Sequence, residues 1–267
     1  MGVEQWIVVE NRYARGLSGA RNSGVERARG DILAFLDDDA TAAPDWLEEM
    51  TRPFTDANVA GVGGWVEPEW AGPVPRWWSS ALNWVIGCSY SGMAPDMARI
   101  RNPIGASMAI RRELIVEGGG FVRGLGRIGG IPLGCEETEL CIRIAASAPS
   151  LRFVHSTSAV VWHHVPTSRG SVRYVVARCI AEGASKAKVA KLVGPRASLA
   201  SEHKYLRSTI PRAIYRQIVG RPYKLAGAQR IAMLCVGVVV TVASYAYAWA
   251  VLEVGGWRSR NRIEESP

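Results

Sequence analysis

The sequence predicts an α/β fold, a doubly wound sheet covered by helices, followed by basic helices and one long apolar helix. Three observations carry this reading. The first part of the chain reads strand, helix, strand, helix, strand. A run of 22 residues from Ile231 to Leu252 has no charged side chain. Charge is unevenly placed, with 15 basic and 19 acidic residues up to position 168 but 14 basic and 2 acidic over 169–230.

WIVVE, Trp6 to Glu10, reads as the first strand, and NRYARGLSGARNSGVERARGD as a loop and a short helix beginning near Ser18. ILAFLDDDA, Ile32 to Ala40, is an unbroken apolar run, the texture of a central strand buried on both faces, and it stops on Asp37, Asp38 and Asp39. In APDWLEEMTRPF, Pro44 suits a helix start and Asp45 its first turn, and Trp46, Leu47, Met50 and Phe54 fall on one face. VAGVGGWV, Val59 to Val66, suits another strand. Such an order puts the ligand cleft at the carboxyl ends of the strands, where the aspartates lie.

Residues 67–100 are rich in Trp, Pro and Gly, which predicts a mobile loop over the cleft. Trp70, Trp77, Trp78 and Trp84 there would stack on a sugar, touch lipid or pack on the core. IRNPIGASMAIRRE, Ile100 to Glu113, returns to strand texture. Gly118 to Gly134 is glycine-rich without the strand-then-helix context of a dinucleotide fingerprint, and is read as a flexible substrate loop.

A hydrophobic content of 48% over 267 residues excludes disorder and allows one large domain with an appendage, or two modest ones. Cys88, Cys135, Cys141, Cys179 and Cys235 are odd in number and lack paired metal-ligand spacing, so they read as reduced thiols. MGVEQWIVVE is too polar and too short for a cleavable signal peptide. The basic block implies an anionic neighbour, nucleic acid or lipid headgroups. The uncharged run beside it chooses the membrane over nucleic acid, because 22 such residues cross a bilayer as one helix, the alternative being a buried core helix. Tyr245, Tyr247 and Trp249 suit an interface. Arg212, Arg216, Arg221, Lys224 and Arg230 outnumber Arg258, Arg260 and Arg262, which places the amino-terminal side of the run on the cytoplasmic side of the cell membrane. Ser171 to Gly194 and the helix after it then lie among headgroups or present a solvated face.

Crowded carboxylates at Asp37 to Asp39 form either a solvated acidic turn or a seat for a hard divalent cation. A second acidic group opens the helix of GCEETELCIRIAASA. Leu140, Cys141, Ile144, Ala145 and Ala148 make its apolar face, with Glu136 and Glu137 above that face in the first turn. Glu139 and Arg143 have the spacing of a surface ion pair. Glu136 and Glu137 also satisfy the positive end of the helix dipole, and a carboxylate held ionised there is a usable general base.

The pieces GLSGARNSGVERARGDILAFLDDDATAAPDWLEEM, RNPIGASMAIRRE, LGCEETELCIR and VVWHHVPTSR, in this order over about residues 16–169, resemble the family 2 glycosyltransferases of the GT-A fold. The resemblance implies inverting transfer from a nucleotide-diphosphate sugar with a divalent metal, manganese or magnesium. By the same resemblance, Asp37 and Asp39 are the ends of an Asp-x-Asp motif, Asp39 on the metal and Asp37 on the ribose or metal shell. Arg21 and Asn22 would bind the donor, Glu137 would be the catalytic base with Glu136 beside it, and His164 or His163 would lie near the metal. The implied acceptor is lipid-linked or another cell-envelope glycan. The family's usual first strand, helix and strand for the nucleotide base find no counterpart before Trp6, so the fold is expected to be N-terminally truncated. The expected organisation is a partial catalytic domain at 1–168, interface helices at 169–230, a transmembrane helix at 231–252 and a tail at 253–267. A non-catalytic membrane-associated remnant of the same fold is the alternative. A nucleotidyltransferase is disfavoured, because no glycine loop with a lysine follows the first strand.

Overall fold

The computed structural model describes residues 7–219 and 225–254. Six strands form one mixed sheet, and helices α1 (Leu17–Arg27), α2 (Trp46–Thr51), α3 (Arg112–Glu117) and α4 (Glu136–Ser147) are interspersed with them. The strands are β1 (Ile32–Leu36), β2 (Ala40–Ala42), β3 (Val59–Trp70), β4 (Arg99–Ile100), β5 (Ser107–Arg111) and β6 (Arg152–Val165). The sheet order is β1-β5-β3-β6-β2, with β4 also on β6. Only β3 and β6 run parallel.

Two expectations about the strands change. Trp6 lies outside the described residues, and Ile7 to Glu10 form no strand, with Ile7 and Val8 exposed. A strand needs a hydrogen-bonding neighbour, and none is present there among the described residues. ILAFL is a strand, but at the sheet edge and antiparallel to β5; only Leu33 is fully buried. An apolar run shows that a segment seeks cover without saying how many neighbours it has.

The core has two main parts. One packs Trp46, Met50 and Phe54 against Val62, Val66, Val161 and Val165, and Trp78, Leu82, Val85 and Ile86 join it. Leu47, expected on that face, is exposed. The second packs Leu33, Met108, Ile110 and Phe121 against Leu140, Cys141 and Ile144. Much of residues 67–100, expected as an irregular loop, is therefore ordered secondary structure packed on the core. β3 continues to Trp70, Ser80–Ile86 form a 3-10 helix, and Trp70, Trp77 and Trp78 pack on one another with ring centroids 5.0 and 5.5 Å apart. Trp78 Nε1 donates to Asn83 Oδ1 at 2.9 Å, so the ring is fixed at its polar end as well.

After β6 the chain is helical: α5 (Val172–Val193), α6 (Pro195–Ser198), α7 (Ala200–Lys204), a π-turn over Tyr205–Thr209, α8 (Ile210–Val219) and α9 (Leu225–Val254). The interface role expected for Ser171 to Gly194 does not fit α5, which is largely enclosed and buries Val175, Cys179, Glu182, Gly183, Lys186 and Val189. Two of its cations are used internally: Lys186 pairs with Glu182 at 3.0 Å and with Glu202 at 2.7 Å, and Arg178 with Glu182 at 2.9 Å. Burial alone would push the Glu182 carboxyl up, but Lys186 and Arg178 outweigh it and bring it down to about 2. α9 contains the uncharged run and is long and apolar enough to cross a membrane. Arg221, Lys224 and the three arginines after position 254 lie outside the described residues.

Candidate active site

The site is built where β1 ends. The chain turns at Asp37, with the Ala40 amide donating to the Asp37 carbonyl at 3.1 Å, and enters β2. Antiparallel pairing of β2 with β6 sets Ala40 opposite His163 and so brings Asp39 beside that histidine. His163 Nε2 lies 3.3 Å from Asp39 Oδ2 and receives a hydrogen bond from Arg169 Nη1 at 2.8 Å. Because an arginine only donates, Nε2 is the unprotonated nitrogen and the ring is neutral. Burial lowers the His163 pKa, and this outweighs the nearby Asp39 charge. Alternation along β6 turns His164 the other way, into solvent, so the histidine at the aspartates is His163.

Arg21 joins the two acidic clusters. It projects from α1 into the interior, where Nη1 donates to Glu136 Oε1 at 2.6 Å and Nη2 reaches Asp37 Oδ1 at 3.3 Å and the Gly105 carbonyl at 3.1 Å. Its guanidinium also lies 5.7 Å from the Phe121 ring centroid. Gly105 is required for this approach, since a Cβ there would fall 2.6 Å from Arg21 Nη2. Asn22 has a different role: its amide donates to the Phe121 carbonyl at 2.9 Å and accepts from the Phe121 amide at 2.8 Å. It braces the glycine-rich segment and does not line the cavity.

The two glutamates of α4 separate by environment. Glu136 is buried and paired with Arg21. Glu137 is partly buried and faces the cavity. The helix dipole was expected to hold Glu137 ionised. Desolvation instead pushes its pKa up to about 8, with the adjacent Glu136 charge adding to the rise and Arg21 opposing it. Glu139 and Arg143 do pair, at 2.7 Å, but Glu139 is buried and Arg143 also donates to the Gly120 carbonyl at 2.8 Å, so the pair fastens the glycine-rich segment to α4.

One cavity of about 860 Å³ takes in Asp37, Asp38, Asp39, Arg21, Glu137 and His163. From there it runs to an apolar wall made by Leu82 and Val85 and by Leu234, Gly237 and Val238 of α9. Sequence reasoning missed Arg169, which donates to Asp39 Oδ2 at 3.2 Å, although it stands five residues after His164. It also missed Arg178, Glu182 and Lys186, because their network needs a contact between α5 and the segment from Pro132 to Cys135.

Two carboxylates and a neutral imidazole are a donor set suited to manganese or magnesium. Among the described residues no three such side chains converge closely enough to hold an ion; Arg169 and Arg21 place positive charge against Asp39 and Asp37. The donor chemistry fits a divalent cation, and seating one requires Arg169 to yield.

Residues 3–119 match the family described as Glycosyl transferase family 2. A glucosyl-dolichyl phosphate glucuronosyltransferase from Haloferax volcanii is 33% identical over 189 residues, covering 70% of this chain and 60% of the relative. Succinoglycan biosynthesis protein ExoM from Rhizobium meliloti is 29% identical over 170 residues, 62% of this chain and 50% of the relative. The chain thus spans about half to three-fifths of the length of these curated relatives. Among solved structures, a mannosyltransferase from Pyrobaculum calidifontis in complex with GDP-Man and Mn2+ aligns over 91% of this chain and 68% of that one at 18% identity and a TM-score of 0.47. The family match, the relatives and the mixed sheet that gathers the quoted motifs around one cleft agree: the chain belongs to family 2 of the glycosyltransferases.

Proposed function

We propose that this chain is the catalytic part of an inverting, metal-dependent glycosyltransferase that moves a sugar from a nucleotide-diphosphate donor to a lipid-linked acceptor at the cytoplasmic face of a cell membrane. The observation that carries the reading is the single cavity. It has Asp37, Asp39 and His163 in its wall, Glu137 in the same wall, and an apolar extension formed by α9. In this reading Asp37, Asp39 and His163 would hold the divalent ion. When bound, that ion offsets charge gathering on the departing nucleoside diphosphate. Arg21 fixes the orientation of Glu136 through their 2.6 Å hydrogen bond. Glu137 accepts the proton of the acceptor hydroxyl as its oxygen bonds to the anomeric carbon and the bond to the diphosphate oxygen breaks. The apolar extension favours an acceptor carried on lipid over a soluble glycan, and the dolichyl phosphate in the name of the Haloferax relative agrees with that choice.

The test is calorimetry of the full chain with uridine or guanosine diphosphate sugars, with and without manganese, beside Asp39→Asn. Manganese-dependent binding that Asp39→Asn abolishes supports the reading. No binding of any donor favours the non-catalytic remnant.

A further inference from the structure

The apolar helix is bound to the rest of the protein along nearly its whole length. At one end Arg230 Nε donates to the Arg76 carbonyl at 3.0 Å, and Nη1 to Gln217 Oε1 at 3.3 Å. Leu234 is fully buried, and a Cβ on Gly237 would lie 3.3 Å from Leu82. In the middle Gly183 of α5 lets two backbones meet, since a Cβ there would fall 2.4 Å from the Thr241 carbonyl oxygen and 2.7 Å from the Tyr245 nitrogen. Ser244 Oγ donates to the Ile180 carbonyl at 2.7 Å. At the far end Lys191 pairs with Glu253, and its ammonium stands 3.7 Å from the Trp249 ring centroid. Arg230 and Glu253 are 23 residues apart, which at helical rise is about 35 Å, more than the ~30 Å hydrocarbon layer. If α9 crossed a bilayer in this conformation, α5 would have to enter it too, with the Arg178, Glu182 and Lys186 network that fastens it to the catalytic domain.

The opposite face of α9 is uncovered and apolar. Val236, Val239, Tyr247, Val251 and Val254 are all exposed and recur at helical spacing. The neighbouring helical segment exposes Lys204, Arg207, Arg212 and Arg216, together with Tyr215 and Ile218. An apolar stripe the length of a helix, next to cations, complements an anionic lipid surface.

We infer that α9 does not cross the membrane: it lies in the plane of one leaflet, its outer stripe sunk among headgroups and upper acyl chains and its inner face clamped to α5, so that the whole chain touches one side. This rests on the membrane association in the proposed function and on nothing in the sugar chemistry. It also opens the apolar end of the cavity, which α9 lines, sideways into the leaflet that would hold the acceptor.

The experiment uses the full chain with Cys235→Ser, carrying either Glu48→Cys on the catalytic domain or Ser266→Cys in the tail. A membrane-impermeant maleimide is applied to intact spheroplasts and to inverted vesicles. Labelling of both cysteines in inverted vesicles alone is expected; labelling of Ser266→Cys from the opposite side to Glu48→Cys overturns the inference while leaving donor binding untouched. As a second measurement, nitroxides at Val236, Val239 and Val251 are read for depth on phosphatidylcholine–phosphatidylglycerol vesicles. A common depth supports an in-plane helix, whereas a spanning helix separates Val236 from Val251 by about 22 Å. A chain that stays off these vesicles and scatters light as a dimer would show a second copy covering the stripe, which also overturns the inference.

Discussion

Glu137→Gln, set beside the pH profile of the unaltered chain, tests the chemistry most directly. The Glu137 carboxyl is pushed from an ordinary 4.5 up to about 8 by burial, with Glu136 as the second contributor. A base with that pKa is about one-eleventh ionised at pH 7 and ten-elevenths at pH 9, so kcat/KM for nucleoside diphosphate release should rise about tenfold between them. An unperturbed glutamate would be fully ionised across that range and give a flat profile. Glu137→Gln should abolish transfer while retaining donor binding. Glu136→Gln should move the limb to lower pH, since it removes a neighbouring negative charge and frees Arg21 to favour ionised Glu137. The same shift has a sign in stability: the folded chain keeps a proton that the unfolded chain releases, so stability falls as pH rises from 4.5 through about 8. Glu137→Gln should flatten that part of the melting profile. A limb near the ordinary carboxylate value, or a Glu137→Gln variant as active as its parent, would refute the reasoning.

Lys186→Met removes the cation that Glu182 and Glu202 share, while Arg178 at 2.9 Å and Arg101 at 2.7 Å still pair with them, and should cost about 1–3 kcal/mol in denaturant unfolding. Gly183→Leu has no room against the Thr241 and Tyr245 backbone and should lower stability by about 1–3 kcal/mol or more, with α9 becoming sensitive to limited proteolysis. Trp46→Phe removes the 2.9 Å hydrogen bond to buried Ser107 Oγ and should cost about 1 kcal/mol, readable as a lower denaturant midpoint. Stripping metal with a chelator should remove donor binding measured by calorimetry, and manganese should restore it in the unaltered chain but not in Asp39→Asn.

Much of the sheet was legible because strand periodicity and helix starts are local properties. The helices expected near Ser18, Asp45 and Glu136 form at Leu17, Trp46 and Glu136, and the strand at Val59 is where the apolar pattern put it. Neighbours were not legible: a run such as ILAFL does not say whether one strand or two will pair with it, and the tryptophan-rich segment does not say which rings face inward. The aspartates and glutamates were visible as clusters, but Arg21 as the bridge between them depends on α1 and α4 converging across 115 residues. His163 and His164 are adjacent in sequence, so only the register of β2 on β6 tells them apart. The α5 part of the basic block was read as lipid-facing because charge alone cannot distinguish a lysine at a headgroup from one, like Lys186, matched inside the fold.

The edge position of β1 affects how this chain behaves when produced alone. Along Ile32 to Leu36 the backbone groups turned away from β5 have no strand partner among the described residues, and Leu36 is exposed beside them. The alternate residues whose N–H and C=O face outward are a template for any extended peptide, including the same segment of another molecule. Asp31 and Asp37 at its two ends place negative charge against that pairing, so self-association through this edge should grow as salt screens their repulsion.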